Sequence, residues 1–178
     1  VIDFITIASV GDASDFGDMT ASTADSAGLS SPTRGIIGGG SAPGNVNVIE
    51  FITIAAAGNA TDFGDLTEAR RYLSGCSSST RGVFYSGMQP NASEVIDFIT
   101  IASAGNATDF GDPGTTPPDD SYGCGASNNI TGLFAGRNGS ALVEKITIAS
   151  AGNGATFGDL SVTRNNLSGN SNGHGGLS

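Results

Sequence analysis

The chain has 178 residues, 28 of them Gly, and carries 17 acidic against 7 basic side chains for a net charge of −10. That balance disfavours bare nucleic acid and anionic membrane surfaces, which both recruit clustered Lys and Arg. Charged residues make up only 13%, against about 25% in an average soluble protein, so polarity rests on Ser, Thr, Asn and Gly. No apolar run approaches the roughly 20 residues of a membrane span, and no basic-then-apolar signal opens the chain. The first residue is Val, not Met, which fits a processed or excerpted segment.

In chain order the first element is VIDFITIAS, Val1 to Ser9. It returns as VIEFITIAA from Val48, VIDFITIAS from Val95 and LVEKITIAS from Leu142. The starts lie 47 residues apart, which defines repeats 1–47, 48–94, 95–141 and 142–178 of one continuous array. A repeat of this length is one supersecondary unit that relies on its neighbours to cover its apolar surface. Both alternating sets of the first copy are apolar (Val1, Ile5, Ile7 and Ile2, Phe4, Ala8), so a strand covered on both faces is expected. Lys145 stands where Phe4, Phe51 and Phe98 stand elsewhere, which places the fourth copy where a sheet face meets solvent.

An acid- and amide-rich turn is expected next, as GDASDFGDM, GNATDFGDL, GNATDFGDP and GNGATFGDL from Gly11, Gly58, Gly105 and Gly152. Phe16, Phe63, Phe110 and Phe157 are its only aromatic residues and are expected to anchor it in the core. A small-residue strand such as YLSGCSSS follows, and after a polar turn a second strand such as RGVFYSGM. The third repeat inserts PGTTPPDDSYG, Pro113 to Gly123, whose three prolines exclude a central strand and mark an exposed excursion.

About four short strands per repeat is the content of one propeller blade, so the expected fold is all-β, built from four 47-residue repeats of short antiparallel strands. The order of an Ala-Arg pair (Ala69, Arg70), a small-residue strand, an apolar strand running into glycines and the ITIA strand resembles the kelch motif. The Phe of DFGD takes the place of the usual tryptophan. GNATDFGDL together with CSSSTRGVF is similar to kelch-like repeat proteins of tailed bacteriophages, a resemblance covering essentially all 178 residues. It implies a β-propeller and a virion structural or tail-fibre protein, located on the virion or outside the cell and contacting other virion subunits, with homo-oligomers expected. A break before the small-residue strand permits the N- and C-terminal strands to pair and close the array, which removes free edges; an open stack of sheets is the alternative.

Catalysis is not expected, because His174 is the only histidine and no nucleophile, base and orienting acid recur at usable spacing. No cofactor is expected. Asp12, Asp15 and Asp18 have the oxygen spacing of a weak calcium loop, but Thr156 replaces Asp15 in the fourth repeat, and turn capping is the preferred reading. Cys76 and Cys124 occupy nearly equivalent places in successive repeats, and two buried free thiols are preferred to a disulfide. Sequons occur at Asn59, Asn91, Asn106, Asn129, Asn138 and Asn166. Cell-surface glycans are a further expected partner, with Asp119, Asp120, Tyr122 and Tyr85 as contact candidates. A secreted filament of paired protomers, or a lectin-like propeller, are the alternative functions.

Overall fold

A computed structural model describes residues 1–115, 123–137, 139–164 and 166–171. The described chain is all-β, with fourteen strands: β1 (Ile2–Phe4), β2 (Ser14–Gly17), β3 (Ala27–Ser30), β4 (Arg34–Gly38), β5 (Val48–Thr53), β6 (Thr61–Asp65), β7 (Ser74–Ser77), β8 (Arg81–Tyr85), β9 (Ile96–Thr100), β10 (Thr108–Gly111), β11 (Cys124–Ser127), β12 (Thr131–Ala135), β13 (Leu142–Thr147) and β14 (Ala155–Asp159). They form four open antiparallel sheets: β1-β2, β3-β4-β5-β6, β7-β8-β9-β10 and β11-β12-β13-β14. We call them sheets 1 to 4. Each four-stranded sheet straddles a repeat boundary, taking its two inner strands from one repeat and its two outer strands from the next. Sheet 1 accordingly holds the last two strands of such a unit.

The ITIA segment is shorter as a strand than its composition suggests. After Thr6, Thr53, Thr100 and Thr147 the chain turns, and in each case the amide three residues later donates to the threonine carbonyl at 3.1 or 3.2 Å. DFGD, expected as a turn, is instead the outermost strand of every sheet. Its register skips at the phenylalanine, with Asp62 opposite Glu50 and Gly64 opposite Ile49, and the same shift at Phe16, Phe110 and Phe157. A β-bulge of this kind re-aims one side chain. In sheets 1 to 3 it lets the two acids lie toward solvent at the sheet edge while the ring between them turns inward.

The core lies between sheets. Ile36, Ile49, Phe63, Leu66, Leu73, Phe84 and Ile99 form one cluster between sheets 2 and 3. Cys76, Val83, Tyr85, Ile96, Phe110, Phe134 and Ile146 form the next, between sheets 3 and 4. Burying one such side chain stabilises by roughly 1.5–3 kcal/mol, and no sheet has a covered face without its neighbour. The inner strands stack through glycine: a Cβ on Gly75 would lie 2.8 Å from the Gly28 carbonyl oxygen. One cavity is lined by Gly28–Ser30, Gly75–Ser77, Gly125–Ser127 and Gly169–Ser171, so four successive inner segments face a common space.

Solvent meets the array at the first ITIA copy more than at the fourth. Phe4, Ile5 and Ile7 are 45%, 64% and 96% exposed, whereas Ile146 and Ile148 are buried. The reason is coverage: β1 has β2 as its only partner strand among the described residues. Lys145 is exposed as anticipated, with its Nζ 6.0 Å from the centre of the Phe157 ring.

Candidate functional site

Two features recur between sheets. The first joins the outer edges. Phe16 O accepts from Gly58 N at 2.7 Å, Asp18 O from Ala60 N at 2.8 Å, and Asp18 N donates to Asn59 Oδ1 at 3.0 Å. The same three bonds join Phe63 and Asp65 to Gly105, Asn106 and Ala107, and Phe110 and Asp112 to Gly152, Asn153 and Gly154. The GN of each repeat is thus a hook for the FGD of the preceding one, which explains why these short stretches repeat so faithfully. The approach is close enough to require glycine at Gly17, Gly64 and Gly111, which hold φ of 149°, 143° and 143°, where side chains are rarely tolerated. A Cβ on Gly64 would meet the Gly105 carbonyl at 2.5 Å. Arginine adds a second tie: Arg34 Nη1 donates to Ile101 O at 2.8 Å and Arg81 Nη1 to Ile148 O at 3.0 Å.

This clasp has an open half at each end of the array. Among the described residues the hook of the first repeat, Gly11–Ala13, and the FGD of the fourth, Phe157–Asp159, make no such bonds; a Cβ on Gly11 or on Gly158 would meet nothing within 4 Å. Phe16, Phe63 and Phe110 are buried under the neighbouring hook, but Phe157 is 59% exposed. The expected core anchor at Phe157 is therefore corrected, because among the described residues no hook covers this ring as one covers Phe16, Phe63 and Phe110. Among the described residues the array is likewise not closed at the clasp; residues 172–178 lie outside them.

The second feature is a buried acid on the third strand of each complete sheet, at Glu50, Asp97 and Glu144. Each accepts a hydroxyl: Thr20 Oγ1 donates to Glu50, Thr67 Oγ1 to Asp97 at 2.7 Å, and Thr115 Oγ1 to Glu144 at 3.3 Å. Asp97 also faces Arg70 Nη1 at 2.8 Å, with both side chains wholly buried, and Arg70 Nε donates to Ser86 O. Glu144 faces Arg137 Nη2 at 2.5 Å. Among the described residues no ion pair accompanies Glu50. Burial pushes its carboxyl above the ordinary value of 4.5, the Thr20 amide opposes this, and Asp62 adds to it.

Tyr85 is only 1% exposed, so its expected role as a surface glycan contact is overturned. Its hydroxyl donates to Glu144 Oε2 at 2.5 Å and its ring stacks on Phe134 at 3.9 Å, tying sheet 3 to sheet 4. Desolvation and the Glu144 charge hold the phenol well above its usual range. Tyr85→Phe is expected to cost about 1.5–3 kcal/mol, as for a hydrogen bond to a charged group, read as a lower urea midpoint with an unchanged slope.

Asp119, Asp120 and Tyr122 lie outside the described residues, as do Asn138 and His174. Asn59, Asn91, Asn106, Asn129 and Asn166 are exposed, and Asn59 and Asn106 are in addition the hook residues of two clasps. Asp12, Asp15 and Asp18 are exposed on sheet 1. Among the described residues no three His, Cys, Asp or Glu side chains converge as a metal would need. Asp62 and Asp109 instead accept from Gly64 N and Gly111 N across the bulge of their own strands. Cys76 and Cys124 are free thiols, Cys76 buried and raised to about 12 by desolvation. Among the described residues no helix is long and apolar enough to cross a membrane.

The sequence pattern announced the hook and the FGD stretch but not that they touch across 41 residues. The buried acids were hidden inside strands that read as uniformly apolar. No protein-family model matches the chain, and no curated protein is significantly similar to it.

Proposed function

We propose that this chain is a non-catalytic structural module of propeller-like blades whose open clasp halves join one copy to the next. The observation that carries the reading is the pair of clasp halves left open among the described residues, an exposed FGD with Phe157 at one edge and the hook Gly11–Ala13 at the other, which a second copy of the chain or a further repeat of the same kind fits alike. Asp12 stands where Asn59 stands in a formed clasp, and its carboxylate accepts from a backbone amide as the Asn oxygen does. Thr131 replaces the arginine of Arg34 and Arg81, so the second tie is lacking at this junction and the clasp with its phenylalanine carries it. A head-to-tail contact that does not close on itself generates a filament.

The similarity of GNATDFGDL and CSSSTRGVF to bacteriophage kelch-like proteins supports a virion appendage as the setting. The open ends support an extracellular filament equally well, and the same module serves in both. Sedimentation velocity and negative-stain microscopy of the purified chain test the assembly. Oligomers that lengthen with concentration are expected, and Phe157→Asp should abolish them without altering the far-UV spectrum. A monomer at every concentration would overturn the proposal. Serum raised against the chain, used on the native source, reads the setting: label on phage tails is expected, and label on free fibrils would transfer the module to a filament.

A further inference from the structure

Sheet 2 contains a cavity of about 100 Å³ lined by Met19, Thr23, Ile37, Gly39, Val46 and Glu50 among others. Its position has a counterpart 47 residues later. Thr23 corresponds to Arg70, Ile37 to Phe84, Gly39 to Ser86 and Glu50 to Asp97. In sheet 3 the Arg70 guanidinium fills that place, donating to the Ser86 carbonyl, to the Phe84 carbonyl at 3.5 Å and to Asp97. In sheet 4 the linker before β11 supplies no such arginine, yet Arg137 arrives from the loop after β12 and meets Glu144. Two unrelated chain positions thus bring a guanidinium to the same acid, as a buried carboxylate requires. Sheet 2 keeps the acid, 4% exposed, and has Thr23 where the arginine would be.

We propose that this cavity is a binding site for a small alkylguanidinium group, held by the Glu50 carboxylate with the carbonyls of Ile37 and Gly39 as further acceptors. Charge, shape and wall chemistry agree. The guanidinium offers donors in a planar fork that suits a carboxylate and flanking carbonyls. Replacement of Glu68 by Ala21 and of Ser93 by Val46 makes the walls more apolar than in sheet 3, which suits an alkyl stem. Thr20, Ala21 and the edge of Val48 are exposed, leaving a mouth through which the group can enter. Glu50 already accepts from Thr20, so its orientation is set before any ligand arrives.

Thermal unfolding in low-millimolar methylguanidinium tests the site, with equimolar methylammonium as the comparison. A saturable rise in Tm is expected for the natural chain, smaller with methylammonium and absent in Glu50→Gln. Thr23→Arg should raise Tm without ligand and remove the response, because it supplies the guanidinium from within. No saturable rise, an equal rise in Glu50→Gln or with methylammonium, or a lower Tm in Thr23→Arg would each overturn the assignment. The last variant also distinguishes a vacated arginine pocket from one filled only by water.

Discussion

Asp97→Ala is expected to destabilise the fold by about 3–5 kcal/mol, the cost of stranding a buried cation. Arg70 and Asp97 are both inaccessible to solvent and 2.8 Å apart. Removing the acid leaves the guanidinium with carbonyl partners and Glu68 at 3.8 Å, which cannot replace a carboxylate in direct contact. A loss of that size is a large share of a domain's total stability of about 5–15 kcal/mol. Urea unfolding reads it, and a shift below about 1 kcal/mol would show that the pair matters less than burial implies.

Glu50→Gln provides the contrast, because among the described residues no cation pairs with this acid. A raised folded pKa means that, between the ordinary 4.5 and the raised value, the folded chain holds a proton that the unfolded chain has released. Stability therefore falls as pH rises through that window, and the cost remains at neutral pH. Glu50→Gln should accordingly unfold at a higher temperature than the natural chain at pH 7. The advantage should vanish in acid below both pKa values, where Glu50 is protonated in either state. Thermal melts at the two pH values check the sign.

Gly64→Ala should be the most damaging small substitution at the sheet edges, at about 2–6 kcal/mol. About 1–3 kcal/mol arises from a backbone region that side chains avoid, and about 1–3 from overlap with the neighbouring hook. Gly64 has φ of 143° and faces the Gly105 carbonyl, so neither relief by rotation nor a flexible partner is at hand. Gly158 is the equivalent residue of the fourth repeat, 94 positions on, and a Cβ there meets open space. Gly158→Ala should leave the urea midpoint of the isolated chain unchanged. If end-to-end joining reproduces the clasp, the same substitution should abolish oligomers. Loss of stability in Gly158→Ala would show that the last FGD is covered in solution.

Much of the architecture is readable from residues alone. Val48, Ile49, Phe51 and Ile52 alternate with too little polarity for an exposed strand, and the small run Ser74–Ser77 leaves room for the stacked inner strands. The reading of DFGD as a turn fails because composition cannot distinguish a turn from an outer strand whose bulge turns one ring inward. Tyr85 fails as a surface residue for a related reason: its hydroxyl suits sugars and buried acids alike, and only the position of Glu144, 59 residues away, decides.

The sequence by itself determined that the chain is a repeat, where its strands recur, and which phenylalanines and glycines are interchangeable between units, because periodic packing needs the same side chain at the same place. Tertiary structure alone decided which acids meet an arginine and which do not, and which clasp halves are joined. Those facts depend on what lies across the gap between sheets, and a contact between residues dozens of positions apart leaves no mark in the local pattern of either partner.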